Sequence, residues 1–484
     1  MRCFYAMKKF EMKVSQLIVC CLLCVSSLLQ GQDGYKINLK IKNYTNDTLI
    51  LGYYLGDKQF VKDTTYSKNG SFTFSGKEAL PPGIYMAVLL PQKNVFQFLV
   101  DKKNQNFSLE ADAKDLSNGL IARKSPENTI FFSYISYITD QKNKVEPIKK
   151  ALAAETDSAK INSLQTQVKS IDQSVAAYQT KLIADHPGTF AAKLIQASID
   201  KGIPDYTNKP DSVKLKLFYH YKLHFFDNFD FSDVRLFHSP VYFQKIDHYI
   251  NNLTAQHPDS IIQSLDYILD KTKVIDEAFQ FYLSHYFNYY IQSKYVGMDA
   301  VYVHLIDKYY STGQAPWVDS TNLQKMKDAA DELRPTLIGK YAPDLTFYHQ
   351  DGSPQKVSDI KSEYTVMFFW SPSCHHCEVA IPFVVNFYKK FKARGVEVLA
   401  ICTGLLDEAT DCWKDVKERD MTPFVNVNDP TLTSNFKVFY DVKATPKIFI
   451  LDKNKKIISK SIAAEQLEEV MNKIIAADKR GELK

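Results

Sequence analysis

Cysteine is missing from most of this 484-residue chain, because none lies between residues 25 and 373. The eight cysteines form an N-terminal and a C-terminal group: Cys3, Cys20, Cys21 and Cys24, then Cys374, Cys377, Cys402 and Cys412. Small secreted scaffolds that are held by disulfides spread their bridges along the whole chain. The distribution therefore excludes that class.

Glycine, proline and excess charge are also scarce. The chain has 17 Gly and 19 Pro, too few for a low-complexity or collagenous protein. Its residues are 45% hydrophobic and 24% charged, which is ordinary for a globular protein and excludes a disordered chain. The formal net charge is +5, but four basic residues against one acidic residue before position 32 supply +3, leaving +2 for the rest. So small an excess predicts no nucleic-acid partner.

Long hydrophobic runs are absent after the first thirty residues. The one run there, Leu17–Leu29, follows Lys8, Lys9 and Lys13 and has 13 residues, which suits a signal-peptide core and is short for a membrane span of ~20 residues. We predict a signal peptide over residues 1–31 and an exported protein. An uncleaved membrane anchor is the alternative.

After the predicted signal peptide, the sequence divides into three regions with different secondary-structure patterns. Residues 32–122 contain alternating strands, such as Ile37, Leu39 and Ile41 between polar neighbours, with turn signals between them, and predict an antiparallel β-sandwich. Residues 123–335 predict an all-α domain that begins with Ser125 as N-cap. We interpret its aromatic clusters as core, with a groove for a client or partner domain as the alternative.

Residues 336–484 alternate strand and helix and predict an open α/β sheet. Three continuous apolar runs are typical of buried central strands: Tyr364–Trp370, Val396–Cys402 and Lys447–Asp452. A hairpin turn at Asp351-Gly352 precedes them, and a closing helix is expected over Ala464–Ala477.

The chemistry is predicted where the first of these strands ends. There the chain reads Trp370-Ser-Pro-Ser-Cys374-His375-His376-Cys377. A Cys-x-x-Cys at a strand-to-helix junction places the first thiol at a helix N-terminus, where backbone N–H groups stabilise its thiolate. Cys374 would attack or be attacked, and Cys377 would resolve the mixed disulfide. The neighbouring imidazoles His375 and His376 would stabilise the thiolate further.

Other interpretations of these residues stay open. A zinc site would need a second ligand pair, a peroxiredoxin would need Pro-x-x-x-Thr-x-x-Cys, and a structural disulfide would be inert. We expect Cys402 and Cys412 to be unpaired thiols, with a second disulfide as the alternative. His220 and His224 have the spacing of a two-histidine metal site but no accompanying motif, so we predict neither a metal nor a cofactor.

Residues 337–478 resemble the TlpA/ResA-like branch of exported thioredoxin-fold proteins. The matching motifs are Gly339-x-x-Ala342-Pro343-Asp344, Phe369-Trp370, Cys374-x-x-Cys377, Pro382 and Val442-x-x-x-Pro446. The resemblance implies a thioredoxin-like α/β domain over residues 336–484. It also implies a cis bond between Thr445 and Pro446, client binding by these two residues, and shielding of the disulfide by Trp370. Residues 34–120 resemble a domain of unknown function in exported thioredoxin-like proteins of Gram-negative bacteria, which implies a periplasmic or envelope location.

Two departures from the family concern the base that would deprotonate Cys377. Phe368 stands where thioredoxins have a buried Asp, and Ala380 where several exported reductases have Glu. The predicted function is thiol–disulfide exchange with client proteins, as a reductase more than an oxidase, supplied by a membrane or envelope electron donor. An isomerase, a peroxidase or a binding scaffold with little turnover are the alternatives.

Overall fold

The computed structural model describes residues 34–481 apart from 201, 203 and 407, so the predicted signal peptide lies outside the described residues. The chain divides into two compact units, with the division between Tyr249 and Ile250. Within the described ranges, no helix is both long and apolar enough to cross a membrane.

The first unit begins with two four-stranded sheets, ordered β4-β1-β7-β8 and β3-β2-β5-β6. The strands are β1 (Tyr35–Lys42), β2 (Thr48–Leu55), β3 (Lys58–Tyr66), β4 (Ser71–Gly76), β5 (Gly83–Leu89), β6 (Asn94–Val100), β7 (Asn106–Asp112) and β8 (Ile121–Arg123). Phe98 of one sheet meets Phe107 of the other edge-on, with ring centroids 6.2 Å apart. The sheets thus pack face to face around a shared core, as the alternation predicts. Their strands pair antiparallel as predicted except for β1 and β7, which are parallel.

Helices follow the sheets: α1 (Pro126–Ala154), α2 (Ser158–Asp185), α3 (Phe190–Ser198), α4 (Asp211–Leu223), α5 (Val234–Phe237) and α6 (Pro240–Asn251), in which the division between the units falls. The Ser125 hydroxyl caps α1 by accepting from the Asn128 N–H, which confirms the predicted start. The Asn128 side chain also pairs with the backbone N–H and C=O of Leu99 in β6 at 2.7 and 2.8 Å. These bonds fasten the first helix to the sheet edge.

The second unit opens with α7 (Pro258–Thr272), α8 (Asp276–Ile291), α9 (Asp299–Leu305) and α10 (Ser320–Leu333). A π-helical turn, Ile306–Tyr310, extends α9. Much of the predicted aromatic cluster is buried here, including Tyr282, Tyr286 and Tyr290. For these residues the core interpretation is confirmed.

A seven-stranded sheet follows, in the order β10-β9-β13-β12-β11-β14-β15. Its strands are β9 (Thr346–Tyr348), β10 (Pro354–Lys356), β11 (Tyr364–Trp370), β12 (Val396–Cys402), β13 (Val425–Asn428), β14 (Lys447–Asp452) and β15 (Ile457–Lys460). Its helices are α11 (His375–Phe391), α12 (Glu408–Glu418), α13 (Phe436–Phe439) and α14 (Leu467–Lys479). The three predicted central strands are confirmed at their predicted bounds, whereas β13 was not predicted.

The central strand β11 carries the site. It pairs in parallel with β12 and antiparallel with β14, and all seven of its residues are buried. Phe368 and Trp370 enter one hydrophobic core, and Met367 and Phe369 enter the other, because successive strand residues face opposite sides. The sheet is therefore covered on both faces. Strand β11 ends at Trp370, and the Cys-x-x-Cys segment begins four residues later at Cys374.

Candidate active site

Cys374 occupies the N-cap of α11. Its Sγ accepts a hydrogen bond from the Cys377 N–H at 3.2 Å, and its thiol donates to the Thr445 carbonyl oxygen at 3.2 Å. The side chain is partly exposed. A sulfur at this position meets unpaired N–H groups and the positive end of the helix dipole, both of which favour its thiolate.

The two thiols have opposite ionisation properties. Burial opposes ionisation of Cys374, but hydrogen bonds from the Cys377 thiol and N–H, from the Thr445 hydroxyl and from the His376 N–H outweigh it and lower the pKa of this thiol. Cys377 is completely buried, and desolvation together with the neighbouring sulfur raises its pKa to about 12. The partly exposed sulfur is therefore more readily ionised than the buried one, which keeps its proton at neutral pH.

The proline loop lies beside the cysteine pair. The Thr445-Pro446 bond is cis, which confirms the prediction made from the resemblance. The contact between Cys374 and the Thr445 carbonyl brings the two segments together, although they are separated by 71 positions in the chain. Trp370 is buried at the end of β11 and belongs to the same hydrophobic cluster as Cys377, against which Cys374 also packs.

The histidines of the motif lie on the surface side. His375 is 82% exposed, and its Nδ1 lies 3.5 Å from a carboxylate oxygen of Glu378. The other Glu378 oxygen lies 3.4 Å from Arg419, so this carboxylate is engaged away from Cys377. The groups that most lower the pKa of Cys374 are the hydrogen-bond partners above, and no imidazole is among them. Redox tuning by His375 and His376 stays a prediction.

No conventional base stands next to Cys377 among the residues described. Phe368 and Ala380, which occupy the family's acidic positions, are buried with it in one apolar cluster. This apolar setting is the physical reason for its high pKa, because a thiolate there would be desolvated without a compensating charge.

The expectation for Cys402 and Cys412 was wrong. They form a disulfide, with Cα atoms 6.2 Å apart, and Cys374 and Cys377 are the free cysteines in the described part of the chain. The cause is geometric: Cys402 ends β12, and Cys412 faces it from the second turn of α12. Both cysteines are buried, with exposures of 2% and 1%. The order strand end, short loop, helix was the one available sequence signal.

In the part of the chain that the structure describes, no group of three or more His, Cys, Asp or Glu residues is placed to hold a metal ion. His220 and His224 lie near each other, with ring centroids 4.5 Å apart. His224 Nδ1 is 2.8 Å from an Asp227 carboxylate oxygen, so this histidine has a structural partner.

Comparisons with known proteins agree with this geometry. The AhpC/TSA family model matches residues 338–460, and two domains of unknown function, DUF4369 and DUF5106, match residues 35–136 and 157–335. A thiol-disulfide oxidoreductase ResA of Bacillus cereus is 31% identical over 141 residues, which cover 28% of this chain and 78% of the relative. ResA of Bacillus subtilis is 26% identical over 149 residues, covering 30% and 79%.

Two solved structures are examples of those similar to parts of this chain. A thioredoxin-like protein from Bacteroides caccae is 20% identical and covers 56% of this chain and 96% of its own, with a TM-score of 0.41. A thiol:disulfide interchange protein from a Bacteroides species is 23% identical and covers 30% and 95%, with a TM-score of 0.28.

The fold and the site together define a thioredoxin-like protein with a Cys-x-x-Cys pair at the end of a central strand. More particularly, the chain belongs to the family of thiol-disulfide oxidoreductases that includes ResA. The match to ResA covers 28% of this chain, and the two regions before the AhpC/TSA match are similar to domains of unknown function.

Proposed function

We propose that this protein exchanges the Cys374–Cys377 dithiol or disulfide with the cysteines of exported client proteins. The observation that carries the proposal is the unequal setting of the two sulfurs: a partly exposed thiol at a helix N-cap stands beside a completely buried one. This setting lowers the pKa of the first thiol and raises that of the second to about 12. The first supports attack on a client disulfide, and the second supplies a sulfur that stays protonated until the mixed disulfide brings it into reaction.

The client segment would bind at the cis-proline loop. The backbone of Thr445 would pair with the extended client, and Pro446 would keep that backbone beside the reactive sulfur. The contact between the Cys374 thiol and the Thr445 carbonyl supports this assignment, because a client sulfur that replaces the proton of Cys374 must come close to the same carbonyl.

We also propose a periplasmic or cell-envelope location, and reduction of clients as the direction of exchange. Residues 1–31 would serve as the signal peptide, and a membrane or envelope donor would return electrons to the disulfide. Residues 32–122 and 123–335 would position clients or mediate association. The signal-like N-terminus and the family resemblance support these points.

An insulin-reduction assay tests the exchange activity. The full-length protein should accelerate insulin precipitation by a small thiol, and the Cys374→Ser variant should be no faster than that thiol alone. Equal rates for the two proteins would end the enzyme proposal in favour of a binding scaffold. The potential of the Cys374–Cys377 couple tests the direction: a value of about −270 mV marks a thioredoxin-like reductant and one of about −120 mV an oxidant.

A further inference from the structure

A groove of about 550 Å³ opens next to Thr445. Apolar, polar and charged side chains line it: Leu405, Leu406, Val442, Ala444, Ser371, Thr403, Thr445, Glu408, Lys437 and Lys443. Ser371 belongs to the active-site loop, residues 442–445 to the cis-proline loop, and residues 403–406 to the loop between β12 and α12. One lining residue, Thr445, has its carbonyl oxygen 3.2 Å from Cys374 Sγ, so the groove lies close to the reactive sulfur. A peptide attached to Cys374 would therefore extend along these residues.

Leu406 is an unusual residue in this wall. Its side chain is 71% exposed, and its backbone has a φ of 46°. This left-handed backbone conformation is disfavoured for a bulky residue such as leucine. An exposed aliphatic side chain also forgoes the free energy that burial of its apolar surface would supply. The Leu406 N–H donates to the Pro430 carbonyl at 3.2 Å, which helps to hold this conformation. The loop thus keeps an apolar group at the groove at some cost in stability.

The Cys402–Cys412 disulfide constrains the loop that carries Leu405 and Leu406. Cys402 and Cys412 join the strand before it to the helix after it. Gly404 packs so tightly on this bridge that a Cβ there would lie 3.0 Å from Cys412 Sγ and 3.1 Å from the Glu408 carbonyl oxygen. On the other side, the Thr403 N–H and hydroxyl both donate to the Trp370 carbonyl, at 2.8 and 3.1 Å.

We propose that the Cys402–Cys412 disulfide is a positioning element that fixes the Leu405–Leu406 wall of a client groove. Leu406 is then a specificity-determining residue, which favours client segments that carry an aliphatic or aromatic side chain close to the reactive cysteine. The inference rests on the proposed function and deepens it by naming the class of peptide. It assigns no redox turnover to the buried disulfide itself.

The test uses the oxidised full-length protein, in which both disulfides are formed, and two synthetic Cys-x-x-Cys peptides in the dithiol form. One peptide has leucine and phenylalanine beside its first cysteine, and the other has serine and aspartate. Each peptide passes two electrons and two protons to the Cys374–Cys377 disulfide and leaves as a disulfide. Rates measured against peptide concentration by stopped-flow fluorescence give an apparent dissociation constant and a limiting rate.

Leu406→Asn is the first variant, because asparagine tolerates the left-handed conformation and should preserve the loop. We expect the dissociation constant for the apolar peptide to rise about tenfold, as for loss of one partly buried aliphatic contact, with little change in the limiting rate. The polar peptide should be unaffected. Val274→Asn, at an aliphatic residue that is 62% exposed outside the groove, is the matched control and should behave as wild type.

The Cys402→Ala/Cys412→Ala variant tests the disulfide, and Gly404→Ala replaces it if the double variant does not fold. Either should lose preference for the apolar peptide, while the rate with dithiothreitol, which is too small to occupy the groove, stays unchanged. Retained preference would overturn the positioning role, and wild-type affinity in Leu406→Asn would overturn the specificity role. If neither peptides nor dithiothreitol reduce the wild-type Cys374–Cys377 disulfide, the proposed function itself fails.

Discussion

The thiol of Cys374 donates a hydrogen bond to the carbonyl oxygen of Thr445, across 3.2 Å. The same sulfur accepts from the Cys377 N–H at 3.2 Å, so it is oriented from both sides before any client arrives. When Cys374 ionises, the bond to the carbonyl loses its proton and the bond from the N–H becomes stronger. The Thr445 carbonyl is then available to accept from another backbone N–H, which an extended peptide beside the loop can supply.

The first prediction concerns pH. In the reduced protein, alkylation of Cys374 by iodoacetamide should increase with pH through a midpoint below the ~8.5 of a free thiol, because its hydrogen bonds lower its pKa. Cys377 should remain unmodified at neutral pH, since burial raises its pKa to about 12. Residue-specific mass spectrometry after timed alkylation measures both rates. A Cys374 midpoint at or above ~8.5 would contradict the assignment of this sulfur as nucleophile.

The second prediction concerns the intermediate. Cys377→Ser should accumulate a covalent complex with a disulfide-containing peptide, because Cys374 attacks but nothing resolves the product. Cys374→Ser should accumulate none, since the remaining Cys377 is completely buried. Intact mass under non-reducing conditions separates the two. Complexes of equal yield would mean that the buried sulfur reacts as readily as the partly exposed one.

The third prediction concerns the missing base. Ala380→Glu adds a carboxylate one helical turn after Cys377, in the apolar cluster that the two residues share. It should speed decay of the mixed disulfide by about tenfold, because a positioned general base typically contributes ~10²–10⁴ and this one is not optimised. Rapid-quench single-turnover kinetics measure the decay. The control is Val379→Glu, at a neighbour that is 48% exposed, and identical rates for both variants would refute the explanation.

The fourth prediction concerns stability within the second unit. Lys460 of β15 forms a salt bridge with Asp299 of α9, and the lysine side chain is 8% exposed. Asp299→Ala should lower the free energy of unfolding by about 3–5 kcal/mol, because it leaves a buried charge without its partner. Glu332→Ala breaks the Lys443 bridge, whose side chains are 47% and 71% exposed, and should cost about 0–1 kcal/mol. Urea unfolding of the full-length variants compares them, and similar midpoints would contradict the burial argument.

The sequence predicts those features that depend on the pattern of neighbouring residues, but not those that depend on tertiary packing. The strands β11, β12 and β14 were predicted at their bounds because each is a continuous apolar run. Strand β13 was missed because its four residues include two asparagines, and its place between β9 and β12 comes from tertiary pairing. The cysteine pair was found from its spacing, whereas the groove combines three loops that are distant in sequence.

The second disulfide illustrates the same limit. A separation of 10 residues is compatible with free thiols or with a bridge, and only the packing of α12 against the end of β12 brings the Cα atoms to 6.2 Å. The absence of bases at Phe368 and Ala380 was readable directly, and the structure adds its electrostatic consequence, a thiol pKa of about 12 at Cys377.

The burial of the Cys402–Cys412 bridge has a consequence for biosynthesis. With exposures of 2% and 1%, these sulfurs are out of reach of an external oxidant once the domain has closed around them. Their bond must therefore be made while the newly made chain is still open. Recombinant production in a reducing cytosol would yield chains that lack the bridge, whereas secretion into an oxidising compartment during synthesis would yield chains that contain it.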